Sequence, residues 1–290
     1  MSMRAPAERI NHLIFGHNGG VDCGPTCRER VVTVREARIQ VHQYGKGPDL
    51  LLLNGIGGHV GMWWPLMMEL GGTCTLVMFD APGAGSTEPL TRPPRMSGLA
   101  DIVTGILDEL ELGRVDLLGY SWGGALAQQV AIDAPQRVRR LVLAATVPGV
   151  GGVPPPPRVL GAMLSRRRFS TPQRSREAAA LLYGGDYRRG TAGPQSALRR
   201  WSEHPPTVAG YAQQLYAITG WTSLPWLHRV DASTLILVGE DDPLVPLANA
   251  RLMARLMRRA ELHVVPGAGH LWLLDHAAES ASIIEDFLDR

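Results

Sequence analysis

A serine between two glycines is the feature of this sequence with the clearest chemical meaning. Residues 119–123 read GYSWG, with Ser121 at the centre. Residues 115–119 are short, apolar and strand-like, whereas residues 122–133 are rich in helix-forming side chains. A G-x-S-x-G sequence between a strand and a helix is typical of a nucleophile elbow, although five-residue patterns also occur in ordinary surface turns. We therefore predict that Ser121 is a nucleophile.

A serine hydroxyl of ordinary acidity needs a general base, and histidine is the usual one. Elbow enzymes carry the nucleophile, the acid and the histidine in that chain order. Among nine histidines, His270 fits this order best, because the glycine-containing loop at residues 266–270 follows the last predicted strand. His59 comes too early in the chain. We predict that His270 is the base.

The histidine also needs an acidic partner that orients its ring. The loop GEDDPLVP at residues 239–246 follows a predicted strand and offers Glu240, Asp241 and Asp242. Asp242 lies three residues beyond the glycine that ends the strand, where such a turn usually presents its carboxylate. We favour Asp242 and keep Asp241 as the alternative; the other aspartate would then be a turn or capping residue.

A tetrahedral oxyanion needs backbone N–H donors. We predict one donor at Trp122, directly after the nucleophile, and a second at Ile56 in the glycine-rich loop NGIGGH, residues 54–59. Such a loop can also cradle phosphate, but the G-x-G-x-x-G spacing and the acidic residue of a ribose site are missing. The predicted chemistry requires no metal and no organic cofactor.

The elements around these loops predict an α/β fold with a mostly parallel, doubly wound sheet. Residues 31–36 and 37–44 alternate polar with apolar side chains, as in an antiparallel pair with one exposed face. Five later runs are almost wholly apolar, as in strands buried on both faces: residues 49–54, 74–79, 115–119, 140–145 and 234–239. Helix-like stretches separate most of them, and residues 261–265 and 277–288 predict a final strand and helix.

The alternation stops between residues 147 and 230, which contain no strand-like apolar run. We predict a helical cap inserted after the sixth strand. The predicted organisation is an irregular extension at residues 1–30, a core at 31–147, the cap at 148–230 and the rest of the core at 231–290. A chain of 290 residues is long enough for one large domain with such an insertion.

The composition excludes several classes of function. A net charge of +2 gives no reason to expect nucleic acid as a partner. Three cysteines do not make a disulfide framework, and no second Cys or His pair follows Cys23 and Cys27 at zinc-binding spacing. The N-terminus lacks the apolar core of a signal peptide, and no apolar run approaches the roughly 20 residues of a membrane helix. We expect a soluble protein of the cytoplasm.

The motifs together resemble the α/β-hydrolase-fold serine esterases, and in particular the intracellular medium-chain-length poly(3-hydroxyalkanoate) depolymerases of bacteria. The most specific matches lie in the cap, where families differ: LYGGDYRR at residues 182–189 and GWTSLPWLH at residues 220–228. The resemblance spans residues 31–288 and places the family's triad on Ser121, Asp242 and His270. It implies hydrolysis of a hydrophobic storage polyester, with the protein in the cytoplasm at the surface of storage granules. It says nothing about the N-terminal extension, side-chain length preference or oligomeric state.

The cap contains aromatic residues for which two interpretations stay open. Trp201, Tyr216 and Trp221 are candidates to line an apolar channel for the alkyl side chains of a substrate. The alternative is that most cap aromatics form the cap's own small core. Rival functions with the same triad are a small-molecule carboxylesterase, a carbon–carbon bond hydrolase of ring-cleavage products and a cofactor-free haloperoxidase. A non-catalytic scaffold that binds a ligand or granule is a further alternative.

Overall fold

A computed structural model describes residues 27–164 and 171–290. Eight strands form one sheet in the order β1-β2-β4-β3-β5-β6-β7-β8. The strands are β1 (Arg28–Val34), β2 (Ala37–Gly45), β3 (Asp49–Leu53), β4 (Thr75–Phe79), β5 (Val115–Tyr120), β6 (Val138–Ala144), β7 (Ser233–Gly239) and β8 (Ala260–Val265). β2 pairs antiparallel with β1 and β4, and every other pairing is parallel.

Helices cover both faces of this sheet because its central strands are apolar on both sides. In β3, Leu51 and Leu53 face one hydrophobic cluster, whereas Leu50 and Leu52 face the other. The first cluster contains side chains from α2 (Met96–Glu109), α3 (Trp122–Asp133) and α9 (Leu247–Leu256). The second contains side chains from α1 (Trp64–Leu70), α10 (Trp272–Asp275) and α11 (Ala277–Leu288). The sheet is therefore doubly wound, as predicted.

The segment between β6 and β7 contains helices and no sheet strand among its described residues. Its helices are α4 (Pro157–Leu164), α5 (Pro172–Tyr183), α6 (Gly185–Arg189), α7 (Ala197–Glu203) and α8 (Val208–Ile218). They form a cap that follows the sixth strand, which confirms the predicted fold class. Short 3₁₀ helices at Val60–Trp63, Pro135–Arg137 and Leu227–Arg229 complete the described elements.

The N-terminal boundary differs from the prediction. β1 begins at Arg28, before the predicted end of the extension at residue 30. Its first residues are charged and exposed, so no apolar pattern marks them; they are held as a strand by backbone pairing with β2 and by polar contacts of the Glu29 side chain with Gln40 and His42. Residues 1–26, which include Cys23, lie outside the described residues. Among the described helices, none has the length and apolarity required to span a bilayer.

Candidate active site

Ser121 lies in a strained turn between β5 and α3. Its backbone has φ 54° and ψ −117°, a left-handed conformation that is rare outside glycine. The turn is fixed on both sides, because Ser121 N–H donates to the Ala144 carbonyl at 2.8 Å and Thr146 Oγ1 donates to the Ser121 carbonyl at 2.7 Å. The Ser121 hydroxyl is thereby held at the carboxyl end of the parallel strands.

The two glycines of the elbow are required by close packing. A Cβ on Gly123 would lie 2.1 Å from the Leu53 carbonyl oxygen, and one on Gly119 would lie 2.4 Å from the Gly123 carbonyl oxygen. Both contacts are with backbone, which cannot move aside as a flexible side chain can. These glycines allow α3 to begin directly against the end of β3.

Ser121, His270 and Asp242 form a continuous hydrogen-bonded series. His270 Nε2 lies 3.1 Å from Ser121 Oγ, and His270 Nδ1 lies 2.7 Å from Asp242 Oδ2. Asp242 Oδ1 accepts the Leu244 and Val245 N–H groups, each at 2.9 Å. The Asp242 side chain has 0% exposure, so its carboxylate is held in one orientation without competition from water.

Asp241 faces a different part of the molecule. Its Oδ2 accepts the Gly185 N–H at 2.8 Å, and its Oδ1 forms an ion pair with Arg188, both on α6 of the cap. The structure thus gives the two neighbouring aspartates separate partners, His270 for Asp242 and the cap for Asp241.

The glycine-rich loop, which we call the oxyanion loop (residues 54–59), lies beside the elbow. A Cβ on Gly55 would lie 3.4 Å from Ser121 Cβ. The loop contains a tight turn in which Gly58 N–H donates to the Gly55 carbonyl at 2.9 Å, and Asn54 Nδ2 donates to the His59 carbonyl at 2.9 Å. Within the described part of the chain, the Ile56 N–H has no acceptor. Trp122, as the first residue of α3, has no intrahelical acceptor either.

The cap also holds the loop that carries the histidine. His270 N–H donates to the Tyr183 carbonyl at 2.7 Å, and Arg189 Nη1 donates to the Gly267 carbonyl at 2.8 Å. Tyr183 ends α5, and Arg189 ends α6. The residues 183–189 therefore position the predicted base from outside the core.

A salt bridge and two hydrogen bonds connect the cap, through α6 and the start of α7, to the end of α10 and the residue before α11. Asp186 Oδ2 lies 2.5 Å from His276 Nε2, and this hydrogen bond is the main reason that the pKa of Asp186 falls from 3.8 to about 2. Tyr187 Oη donates to Asp275 Oδ2 at 3.0 Å, and Asp275 Oδ1 accepts the Ala197 N–H at 2.5 Å. Burial raises the pKa of Asp275. The cap is therefore connected by polar contacts to the core on the histidine side.

Two buried titratable groups border the site without touching Ser121 Oγ. Tyr120 Oη donates to the His270 carbonyl at 3.0 Å, and its ring packs against the His270 ring. Burial raises the pKa of Tyr120 well above its usual value. His59 Nε2 lies 3.1 Å from the Arg200 carbonyl, and burial lowers the pKa of His59. Burial thus favours the neutral form of both groups, and both pack against the loops of the site.

The three predicted substrate-binding aromatics lie at different places in the cap. Trp201 packs against the core cluster on the α1 side. Trp221 donates its indole N–H to Gln129 Oε1 at 2.6 Å and packs against the opposite cluster. The Tyr216 ring is exposed and lies 4.2 Å from the Arg95 guanidinium carbon. Contact of these residues with substrate stays a prediction.

Cys27, Glu29 and His42 form a cluster whose ligand atoms lie within 4.8 Å of one another. Cys27 is disulfide-bonded, so its sulfur is not available as a thiolate ligand. We propose no metal site there.

Comparison with known proteins decides the family. A family model described as the alpha/beta hydrolase fold matches residues 48–277. The chain belongs to the α/β-hydrolase family. This hydrolase is 42% identical over 242 residues to the poly(3-hydroxyalkanoate) depolymerase of Ectopseudomonas oleovorans, a match that covers 83% of this chain and 84% of that protein. The resemblance stated from the sequence is thereby confirmed, and the protein is a carboxylic ester hydrolase.

Other members of the family are similar over most of the length of this hydrolase. It is 31% identical over 278 residues to the 2-hydroxymuconate semialdehyde hydrolase of Pseudomonas sp. strain CF600, covering 89% of this chain and 93% of that protein. The crystal structure of a hydrolase from Pseudomonas aeruginosa PA01 superposes with a TM-score of 0.76 at 24% identity, covering 91% and 99% of the two chains. The structural match shows the fold alone.

Sequence reasoning missed the residues through which the cap contacts the site of this hydrolase. Gln214 on α8 accepts the Gly57 N–H, and Tyr183 accepts the His270 N–H. The Tyr183 contact is made by a backbone carbonyl, which leaves no signal in the residue type. Gln214 does leave a signal in the sequence, because it is a polar residue in a mostly apolar helix. That pattern does not specify which loop the side chain contacts.

Proposed function

We propose that this hydrolase cleaves the ester bonds of a poly(3-hydroxyalkanoate), with medium-length side chains, through an acyl-enzyme on Ser121. The observation that carries the proposal is the identity of 42% to a poly(3-hydroxyalkanoate) depolymerase over 83% of this chain. The hydrogen-bonded series from Ser121 through His270 to Asp242 supports the chemistry.

In the first half of the reaction, His270 Nε2 takes the proton from Ser121 Oγ as the oxygen attacks the ester carbonyl. The resulting oxyanion accepts hydrogen bonds from the N–H groups of Ile56 and Trp122. Asp242 holds the His270 ring in the tautomer with a proton on Nδ1 and stabilises the imidazolium. Collapse of the tetrahedral intermediate expels the alcohol end of the polymer, which leaves with the proton from His270.

In the second half, His270 takes a proton from water, which attacks the acyl-enzyme carbonyl. The second tetrahedral intermediate collapses, Ser121 Oγ regains its proton from His270, and a hydroxyalkanoic acid end is released. Every proton transfer uses the same imidazole, so the chain's own side chains account for both halves of the ester hydrolysis.

A second candidate keeps this triad and changes the substrate. The identity of 31% to a 2-hydroxymuconate semialdehyde hydrolase favours a ring-cleavage product, hydrolysed at a carbon–carbon bond. The higher identity to the depolymerase makes the polyester the first candidate.

A side-by-side assay tests the proposal. Purified protein is given a medium-chain-length polyester latex, soluble p-nitrophenyl esters and a ring-cleavage product of the semialdehyde type. We expect clearing of the latex by the wild type and a loss of about 10⁴-fold or more in Ser121→Ala, because that variant lacks the nucleophile. Circular dichroism checks that the variant is folded. Turnover of soluble esters without clearing of the latex would reject the polyester in favour of a small-molecule carboxylesterase.

A further inference from the structure

Two helices of the cap contact the oxyanion loop directly. Gln214 on α8 accepts the Gly57 N–H through its Oε1 at 2.7 Å. Pro206, just before α8, packs so closely on Gly57 that a Cβ there would lie 2.7 Å from Pro206 Cγ. The Arg200 carbonyl on α7 lies 3.1 Å from His59 Nε2 at the other end of the loop. The loop that carries Ile56 is therefore held between the core and the cap.

Gln214 contacts both parts of the predicted oxyanion hole. Its side chain binds the residue after Ile56, while its backbone carbonyl accepts the Trp122 indole N–H at 3.0 Å. The residue is 3% exposed, so water does not compete for either bond. A single buried residue of the cap thus contacts the two segments that supply the donors.

The bond to Gly57 fixes the orientation of one peptide group. Gly57 is the third residue of the turn from Gly55 to Gly58 and has φ +67°, as in a type II turn. Its N–H belongs to the peptide that joins Ile56 to Gly57, directly after the Ile56 N–H. Without an acceptor, this buried N–H would be left unsatisfied, and the whole turn from Gly55 to Gly58 would relax toward another partner. The adjoining Gly55–Ile56 peptide, which carries the Ile56 N–H, belongs to the same turn and would lose its fixed orientation toward the oxyanion.

We propose that Gln214 is a positioning residue for the oxyanion hole, and that the cap, through Gln214, keeps Ile56 oriented toward the transition state. The inference rests on the proposed serine mechanism and not on the polyester as substrate. Loss of an oxyanion donor costs about 10²–10³-fold in kcat, so misplacement of one donor should cost about 10- to 100-fold.

The neighbouring Gln213 provides a matched control on the same helix. Its Nε2 donates to the Leu90 carbonyl at 2.6 Å, and its Oε1 accepts the Leu90 N–H at 3.1 Å. Gln213 therefore also connects α8 to a core loop by side-chain hydrogen bonds, but it does not bind the oxyanion loop. If Gln214 served only to attach the cap, Gln213→Met and Gln214→Met would have similar effects.

The experiment compares wild type, Gln213→Met and Gln214→Met on a soluble p-nitrophenyl ester. Methionine keeps the length and flexibility of the side chain and removes the acceptor. We expect kcat of Gln214→Met to fall about 10- to 100-fold with KM within about threefold, whereas Gln213→Met stays within about threefold in both. The rate of Ser121 phosphonylation by a fluorophosphonate should fall in parallel, since that reaction also places charge in the oxyanion hole.

Equal kcat values for the two methionine variants would overturn the proposal, and so would a rise in KM of Gln214→Met at unchanged kcat. If Gln214→Met does not fold, Gln214→Asn provides the test, because its amide is one methylene too short to reach Gly57. A kcat of Gln214→Asn equal to that of Gln213→Met would again overturn the proposal. Failure of the wild type on polyester latex, with turnover of the soluble ester intact, would reject the proposed substrate and leave this comparison valid.

Discussion

Replacing Asp242 by asparagine tests its proposed role as the acid that orients His270. Comparison with the same replacement at Asp241 distinguishes the roles of the two aspartates in the loop after β7. In the structure, Asp242 Oδ1 accepts two backbone N–H groups at 2.9 Å, from Leu244 and Val245. An asparagine at this position keeps its carbonyl oxygen toward those donors, because the alternative flip would set its NH₂ group against two N–H groups. Its NH₂ group then faces His270 Nδ1, where Asp242 Oδ2 now lies at 2.7 Å.

This orientation imposes the wrong tautomer on His270. An NH₂ donor opposite Nδ1 requires Nδ1 to be an acceptor, so the ring proton moves to Nε2. Nε2 then carries a hydrogen toward Ser121 Oγ and cannot accept the serine proton. We expect kcat of Asp242→Asn to fall about 10⁴-fold, which corresponds to about 5 kcal/mol of transition-state stabilisation.

The matched control is Asp241→Asn. An asparagine there can still accept the Gly185 N–H, and the ion pair with Arg188 is partly exposed, at 47% for the arginine and 29% for the aspartate side chain. We expect kcat within about threefold of wild type and a stability loss within about 1 kcal/mol. Both variants are assayed on a soluble ester after urea unfolding has shown that each is folded. A kcat of Asp242→Asn within tenfold of wild type, or a larger loss in Asp241→Asn, would refute the reasoning.

Two further predictions concern stability. The depressed pKa of Asp186 stabilises the fold above the unfolded value near 3.8, and this effect is lost as pH falls through about 2. Because the pair with His276 is partly exposed, solvent screening reduces the effect, and wild type should exceed Asp186→Asn in free energy of unfolding by about 1 kcal/mol at pH 5 and by less at pH 2.5. An unchanged difference between the two proteins in urea titrations at these pH values would contradict this. Gly123→Ala should lower the free energy of unfolding by about 3 kcal/mol, because the added Cβ would lie 2.1 Å from the Leu53 carbonyl oxygen. Gly113→Ala serves as the control, because a Cβ there would have nothing within 4 Å. Equal urea midpoints for the two variants would argue against the close packing.

The sequence by itself determined the order and type of the core elements. The apolar run at residues 49–54 became β3, Asp49–Leu53, and the helix predicted at residues 122–133 is α3, Trp122–Asp133. These predictions succeeded because strands buried on both faces and long runs of helix-forming residues have strong local patterns. The start of β1 was missed because Arg28–Arg30 are exposed and charged, and the backbone pairing and Glu29 side-chain contacts that hold them to β2 leave no apolar pattern in the sequence.

The candidate triad also followed from the sequence, since chain order and the ends of predicted strands place Ser121, Asp242 and His270 at one edge of a parallel sheet. The sequence could not decide which aspartate faces the histidine, because Asp241 and Asp242 are adjacent in the chain and chemically identical. Only the turn geometry directs one carboxylate to His270 and the other to α6 of the cap.

Tertiary structure alone decided how the cap contacts the site. Gln214 lies 157 residues from Gly57, and Tyr183 binds His270 through a backbone carbonyl that every residue type possesses. Contacts of this kind depend on the path of the chain between β6 and β7, which local residue preferences do not specify. The residues proposed to perform the chemistry could therefore be predicted from the sequence. The contacts that hold them in place form only when the cap packs on the core.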